Sequence, residues 1–345
     1  MSNPLEIVDI SQINDETAKK ILHAASNQGF LMLEGHGFSQ EEVDQVYKLS
    51  HEFFALPLEE KKRFPIDESN RGYTGMGVEN LELDQLDKET GDPKEGFNFA
   101  YLDLTTGLPD QELPTLLKEN LPIVSNTVLK LRDATKAALR LLAMGLEIDE
   151  KDGGAEWFDE RHADDKSSGT AFRFLHYPSP VKPGASGEEK EKFKEVNIAG
   201  AHTDYGGLTL LFQKKDEDGL QILSPLSKKW VSVPYVPASP KFQAKGEAPP
   251  LVVNIADQLS YWTNGLLKST VHRVRFPQKL LDEGKDRYSI VLFAHPSDNT
   301  LLEPVPSKMV GEIEGRGATA YQAKFGKAQT AKEHLDKRLA STYKW

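Results

Sequence analysis

The sequence predicts a mainly β protein with flanking helices: a β-sandwich or jelly-roll core with a helical N-terminal region packed on it. Two observations lead there. From residue 170 onward, eight short β-rich runs follow one another, at 171–177, 196–202, 208–213, 219–223, 229–235, 250–255, 270–276 and 287–294. Turn formers such as Pro178-Ser179-Pro180, Asp218-Gly219 and Asn264-Gly265 separate them, and no long helical period intervenes, which argues against a doubly wound sheet. Before residue 150, apolar residues recur instead at helical spacing. The chain is therefore read as a helical region over 1–150, a jelly-roll domain over 165–300 and a helix-bearing extension over 301–345, the first covering the second rather than folding apart.

In chain order, residues 5–10 alternate, and Ser11 or Asn14 is placed to cap a helix over 15–27 whose Ala18, Ile21, Leu22 and Ala25 form one stripe. Gly29 ends it, residues 30–33 read as a strand, and Gly35-His36-Gly37 reads as a turn. Ser39, with Glu42 three residues on, forms a capping-box pattern and opens a second helix carrying Val43, Val46, Tyr47, Phe53 and Phe54. Residues 69–100 are Gly-rich and polar, and read as ordered loop with one or two short strands. A third helix is expected over 121–146. Segments 181–195 and 236–248 read as surface loops, 278–285 as a loop insertion, and 323–345 as a helix with Ala331, Leu335 and Leu339 on one side.

Composition narrows the function classes. Lys and Arg total 42 against 53 Asp and Glu, a formal charge of -11, so no nucleic-acid partner is expected. There is no cysteine, which excludes disulfides, thiolate metal sites and a cysteine nucleophile. No basic segment followed by an apolar run opens the sequence, and no stretch approaches the roughly 18 apolar residues of a membrane span. The expectation is a cytoplasmic protein, with the nucleus as alternative; oligomeric state is not legible.

The sharpest local feature is Gly200-Ala201-His202-Thr203-Asp204-Tyr205-Gly206. On a strand edge the period of two points His202 and Asp204 the same way. A second histidine from a distant strand then completes a facial triad with open positions for oxygen chemistry, although three protein ligands also suit zinc. His272, in Thr270-Val271-His272-Arg273-Val274, is the leading candidate; His176 and His295 also follow β-like runs.

At this point the sequence resembles the isopenicillin N synthase-like branch of the 2-oxoglutarate and Fe(II)-dependent dioxygenases, over nearly its whole length. The residues that carry the resemblance are His202-Thr203-Asp204-Tyr205-Gly206 with Leu208-Thr209-Leu210-Leu211, Asn254-Ile255-Ala256-Asp257, Thr263-Asn264-Gly265, His272-Arg273-Val274 and Arg287-Tyr288-Ser289. Gly29-Phe30, Gly35-His36-Gly37, Arg71-Gly72-Tyr73 and Lys94-Glu95 add to it. The resemblance implies a double-stranded β-helix core, with His202, Asp204 and His272 as iron ligands. It implies Fe(II), 2-oxoglutarate as cosubstrate and molecular oxygen, and release of succinate and CO2 as a small organic molecule is hydroxylated. Arg287 and Ser289 would take the distal carboxylate of 2-oxoglutarate, and Tyr177 would hydrogen-bond the cosubstrate. Leu175 stands where the family's Asn-x-Tyr-Pro has its Asn.

A planar guanidinium suits a carboxylate because it pairs bidentately, and Ser289, two residues on, faces the same way as Arg287. Arg71, Tyr73, Phe97, Asn98, Arg173 and Tyr205 are candidate substrate contacts. Asp257 is expected to hold backbone amides or a turn. Two alternatives remain open: an oxidase of the same scaffold that does not use 2-oxoglutarate, and an inactive small-molecule binder.

Overall fold

The computed structural model describes residues 3–81, 91–194, 196–313 and 315–343. Its strands are β1 (Ile7–Asp9), β2 (Phe30–Glu34), β3 (Gly72–Thr74), β4 (Glu95–Ala100), β5 (Leu102–Asp103), β6 (Leu108–Pro109), β7 (Ala171–Tyr177), β8 (Asn197–His202), β9 (Leu208–Leu211), β10 (Leu220–Leu223), β11 (Trp230–Ser232), β12 (Leu251–Ile255), β13 (His272–Arg275) and β14 (Arg287–Ala294). An eight-stranded sheet runs β1-β2-β12-β9-β14-β7-β4-β3, and a four-stranded sheet runs β11-β10-β13-β8. Together they form a β-sheet core of the double-stranded β-helix type. The principal helices are α1 (Asp15–Asn27), α2 (Gln40–Phe54), α3 (Leu121–Gly145) and α4 (Ala331–Tyr343).

Strand alternation gives β4, β7, β9 and β14 an outward and an inward side, while Phe30, Met32 and Val252 of β2 and β12 join a third apolar cluster with Leu220 and Ile222 of β10. Phe97, Phe99, Phe172, Phe174, Leu208, Leu210, Ile290 and Leu292 pack outward with α1, α2 and α3. Leu175, Tyr177 and Val291 point inward with Ile198, Ala199 and Val274 of the small sheet. β4, β7, β9 and β14 thus each have one face under helices and one face toward the site, as the period of two requires.

Local chemistry sets the helix limits. Asn14 accepts from the Thr17 amide at 3.0 Å and caps α1. Ser39 and Glu42 make both bonds of the capping box that opens α2. Thr330 and Glu333 exchange the same pair of bonds ahead of α4, at 3.0 and 3.1 Å. The sequence carries that Thr-x-x-Glu pattern in plain view.

The first hundred residues do more than cover the core. β1 to β4 supply four of the eight strands of the large sheet. The segment 69–100, expected as ordered loop with one or two short strands, holds β3 and β4 among its described residues, and β4 pairs with β7 over six positions. The spans read as loops hold short helices at Gly187–Glu191, Pro240–Gln243 and Gln278–Glu283.

Candidate active site

The cavity lies between the two sheets. Its volume is about 140 Å³, against the roughly 10–15 Å³ a single water needs. β14 sends Arg287, Ser289, Val291 and Phe293 into it; β7 sends Tyr177, Leu175, Arg173 and Ala171, which pair with those four in that order. β4 adds Asn98, opposite Arg173. The small sheet supplies His202 and His272 from the facing side.

His202 and His272 are direct partners across β8 and β13. The ladder then slips by one residue: Val274 pairs with Ala199 rather than with position 200. That irregularity lets Ala199 and His202, three residues apart, both line the cavity. β8 ends at His202, so Asp204 reaches the cluster through a turn and not by strand alternation. The nitrogen Nε2 of His202 and that of His272 each lie 3.6 Å from Asp204 Oδ1.

The remaining polar atoms of these three residues are turned away and occupied. His202 Nδ1 is 2.7 Å from the Gly200 carbonyl, and His272 Nδ1 is 3.1 Å from the Thr270 carbonyl. Those contacts fix Nδ1 as the N–H donor and leave each Nε2 lone pair facing the cluster. Asp204 Oδ2 accepts from the Thr209 hydroxyl at 2.7 Å and the Asn254 amide at 2.8 Å. Burial pushes the His202 imidazole down to about 3, and the nearby His272 adds to the shift. Burial alone would raise Asp204, but His272, His202, Asn254 and Thr209 outweigh it and lower its carboxyl. Two neutral imidazoles and one carboxylate form a donor set that fits a divalent transition metal with open positions. Among the described residues this is the one group of three or more histidines and acids with ligand atoms close enough to share an ion.

The described bonds of the Asp257 carboxylate go to side chains of three segments rather than to the backbone amides or turn expected. Its Oδ1 accepts from the Ser269 hydroxyl at 2.6 Å, and its Oδ2 from the Thr203 hydroxyl at 3.1 Å. Arg338 of α4 reaches the same Oδ2 at 3.1 Å. One carboxylate therefore joins the His202–Asp204 turn, the segment before His272 and the C-terminal helix.

Arg287 is buried, and its described partners are not carboxylates. Its Nε donates to the Glu217 and Asp218 carbonyls at 3.2 Å, and its Nη1 lies 2.7 Å from the Ser289 hydroxyl. The Tyr177 ring lies 5.2 Å from the guanidinium.

Of the candidate substrate contacts, Asn98, Arg173 and Tyr205 line the cavity. Arg71, Tyr73 and Phe97 do not. Phe97 is on the opposite face of β4 from Asn98 and packs on Phe53 and Phe99. Tyr73, its cross-strand partner, bonds Glu95, and Arg71 bonds the Asp110 carbonyl beside the Tyr101 ring. His176 bonds Glu95 and Asp286 on the outer side of β7, and His295 lines the cavity without joining the cluster. Sequence reasoning did not place Glu79, Leu335 or Leu339 on the cavity wall. The apolar stripe of α4 was the available signal for the two leucines.

Comparison with known proteins fits this geometry. Residues 5–117 match the family described as non-haem dioxygenase in morphine synthesis N-terminal, and residues 170–296 match the 2OG-Fe(II) oxygenase superfamily. A UPF0676 protein of Schizosaccharomyces pombe is 33% identical, over 97% of this chain and 92% of its own length. A 2-oxoglutarate-dependent dioxygenase of Didymella fabae is 31% identical, over 82% of this chain and 80% of its own. A full-length Neurospora crassa protein, solved in complex with alpha-KG and thymine, superposes with a TM-score of 0.76 at 28% identity, covering 98% of this chain and 96% of that one.

Proposed function

This chain belongs to the 2OG-Fe(II) oxygenase superfamily and is an oxygenase of that class; from that premise we propose the residue roles and the reaction. His202, Asp204 and His272 hold Fe(II). Arg287 and Ser289 hold the distal carboxylate of 2-oxoglutarate, and Tyr177 hydrogen-bonds the cosubstrate. A small organic molecule in the rest of the cavity is hydroxylated, with one atom of O2 entering that product and the other entering succinate as CO2 leaves. The observation that carries the proposal is the convergence of two Nε2 atoms and one carboxylate oxygen, with every other polar atom of the three residues already bonded.

Bound iron would supply oxygen activation coupled to oxidation of the 2-oxo acid. The protein's own residues do the positioning. Thr209 and Asn254 hold one oxygen of Asp204, so the other stays aimed at the two histidines. Gly200 and Thr270 set both imidazole tautomers. Arg287 lacks a carboxylate among its described partners, and a ligand carboxylate would complete it. We also assign the chain to the isopenicillin N synthase-like branch, supported by the dioxygenase N-terminal match over 5–117 ahead of the core.

The test is anaerobic addition of Fe(II) and 2-oxoglutarate, followed by oxygen and a metabolite extract. The expected result is a 2-oxoglutarate spectrum that requires iron, then extract-dependent succinate. His272→Ala should lose bound iron and succinate while keeping its circular dichroism. A His272 variant with unchanged iron content and turnover would sink the assignment.

A further inference from the structure

The cavity has two polar ends of opposite character. Arg287 stands at one. Four residues further along β14, Val291 pairs with Arg173 on β7, which puts the second end roughly 13 Å away at the usual rise of a strand. There Arg173 donates from Nη1 and Nη2 to the two oxygens of Glu79, both at 2.9 Å. Lys94 bonds the same carboxylate and lies 3.5 Å from Asp92. All four side chains are buried. Gly96 makes room for the pair, since a Cβ there would lie 3.1 Å from Arg173 Nη2. Leu335 and Leu339 of α4, with Ala171 and Phe293, supply an apolar wall.

Among the described residues the charges of Arg173, Lys94, Glu79 and Asp92 cancel formally, so an ion entering this end would lose its water against groups already paired with one another. Donors of Arg173 and Lys94 sit beside the acceptor oxygens of Glu79, and an amide edge offers the matching acceptor and donor. We propose that the Arg173–Glu79 end of the cavity selects an uncharged substrate with an amide-like edge, a carbonyl beside an N–H, and rejects carboxylates and amines. The proposal rests on the reading above, which gives the Arg287 end to the cosubstrate.

Calorimetry on oxygen-free protein loaded with Fe(II) and 2-oxoglutarate tests it with benzamide, benzoate and benzylamine. Benzamide should bind at least about tenfold tighter than either ion, a difference of roughly 1.4 kcal/mol. Glu79→Gln leaves the two cations without their shared carboxylate, and the preference should swing to benzoate by a similar factor. The double variant Glu79→Gln, Arg173→Gln should swing it back. A flat ranking in the wild type, no binding of any probe, or a preference for benzoate overturns the proposal, and the wild-type ranking decides even where a variant does not fold. The 2-oxoglutarate affinity measured on the same samples separates the two readings. Its absence indicts the cosubstrate assignment, whereas intact 2-oxoglutarate binding with benzoate preferred sinks the substrate class alone.

Discussion

Arg287 lies between the Glu217 and Asp218 carbonyls and the Ser289 hydroxyl, a setting that holds a guanidinium in place without neutralising it. Arg287→Leu should therefore weaken 2-oxoglutarate far more than iron. Losing a buried charge-assisted pair costs roughly 2–5 kcal/mol, or about thirtyfold to a few thousandfold in affinity. Arg287→Lys should fall between, because an ammonium keeps the charge but not the fork. Anaerobic titration of iron-loaded protein reads this directly, and an unchanged affinity in the Leu variant would show that Arg287 serves something else. Residue-scale chemistry was legible where the spacing itself carries it. Arg287 and Ser289 sit two apart on β14 and both line the cavity, whereas Asp204, two after His202, comes from beyond the end of β8. It was not legible where contact runs between segments. Arg71, Tyr73 and Phe97 sit near the cavity in sequence, but the β3–β4 pairing turns Tyr73 and Phe97 outward to the helical core. Glu79, on the cavity wall, meets Arg173 and Lys94, 94 and 15 residues away.

At the scale of elements, periodicity and capping located most of the strands and helices within a residue or two, since both signals are local. α1 spans Asp15–Asn27, α2 starts after Ser39, and β7 and β14 are Ala171–Tyr177 and Arg287–Ala294. The one or two short strands expected within 69–100 had no assigned limits, because the inward face of β4 carries small and polar residues, Gly96 and Asn98, which weakens the apolar alternation. The α2 cap offers a measurement. Burial would raise Glu42, but Lys130, the Ser39 amide and Asn126 outweigh it and bring its carboxyl down to about 2. A carboxyl lowered on folding contributes stability that is complete above its ordinary value and is lost as pH falls through the folded value. Glu42 is only partly buried, so screening reduces the effect, and Glu42→Gln should cost about 1 kcal/mol at pH 7. The gap in urea midpoint between wild type and variant should narrow toward pH 3.5; a gap that stays constant would deny the charge its role. Ser39→Ala should cost about 1 kcal/mol at either pH, since it removes a hydroxyl and no charge.

The molecule as a whole closes where three distant segments meet, and that closure was the least legible feature, because no local pattern reports which face of the sheet a terminal helix will cover. His162 follows the helical region, His295 follows β14, and His334 lies on α4. Burial lowers all three, His162 to about 4, His295 to about 3 and His334 to about 4. His334 and His162 further depress His295; Arg338 and Lys337 depress His334; Asp159 partly offsets the shift at His162. Each histidine folds neutral, so the unfolded chain binds more protons in the window from about 6.5 down to 4. Stability is therefore complete above that window and falls as pH falls through it. Between pH 7 and 5 each should cost on the order of 1–2 kcal/mol. His176 opposes them: burial would lower it, but Asp286 and Glu95 raise it, and its contribution is present at low pH and lost as pH rises. Carboxylates held below their ordinary values act at lower pH, while Asp92 and Asp257, which burial raises, oppose the histidines as they titrate. Urea midpoints should drop steadily from about pH 6.5 to 5, measured with chelator present so that metal release adds nothing; the metal-free His202 contributes in the same direction. His334→Leu should shallow the drop without shifting the midpoint at pH 7.5 by a comparable amount. A midpoint that holds level from pH 7.5 to 5 would mean that these histidines take up protons in the folded state, and that the junction of the C-terminal helix with the core is open to water.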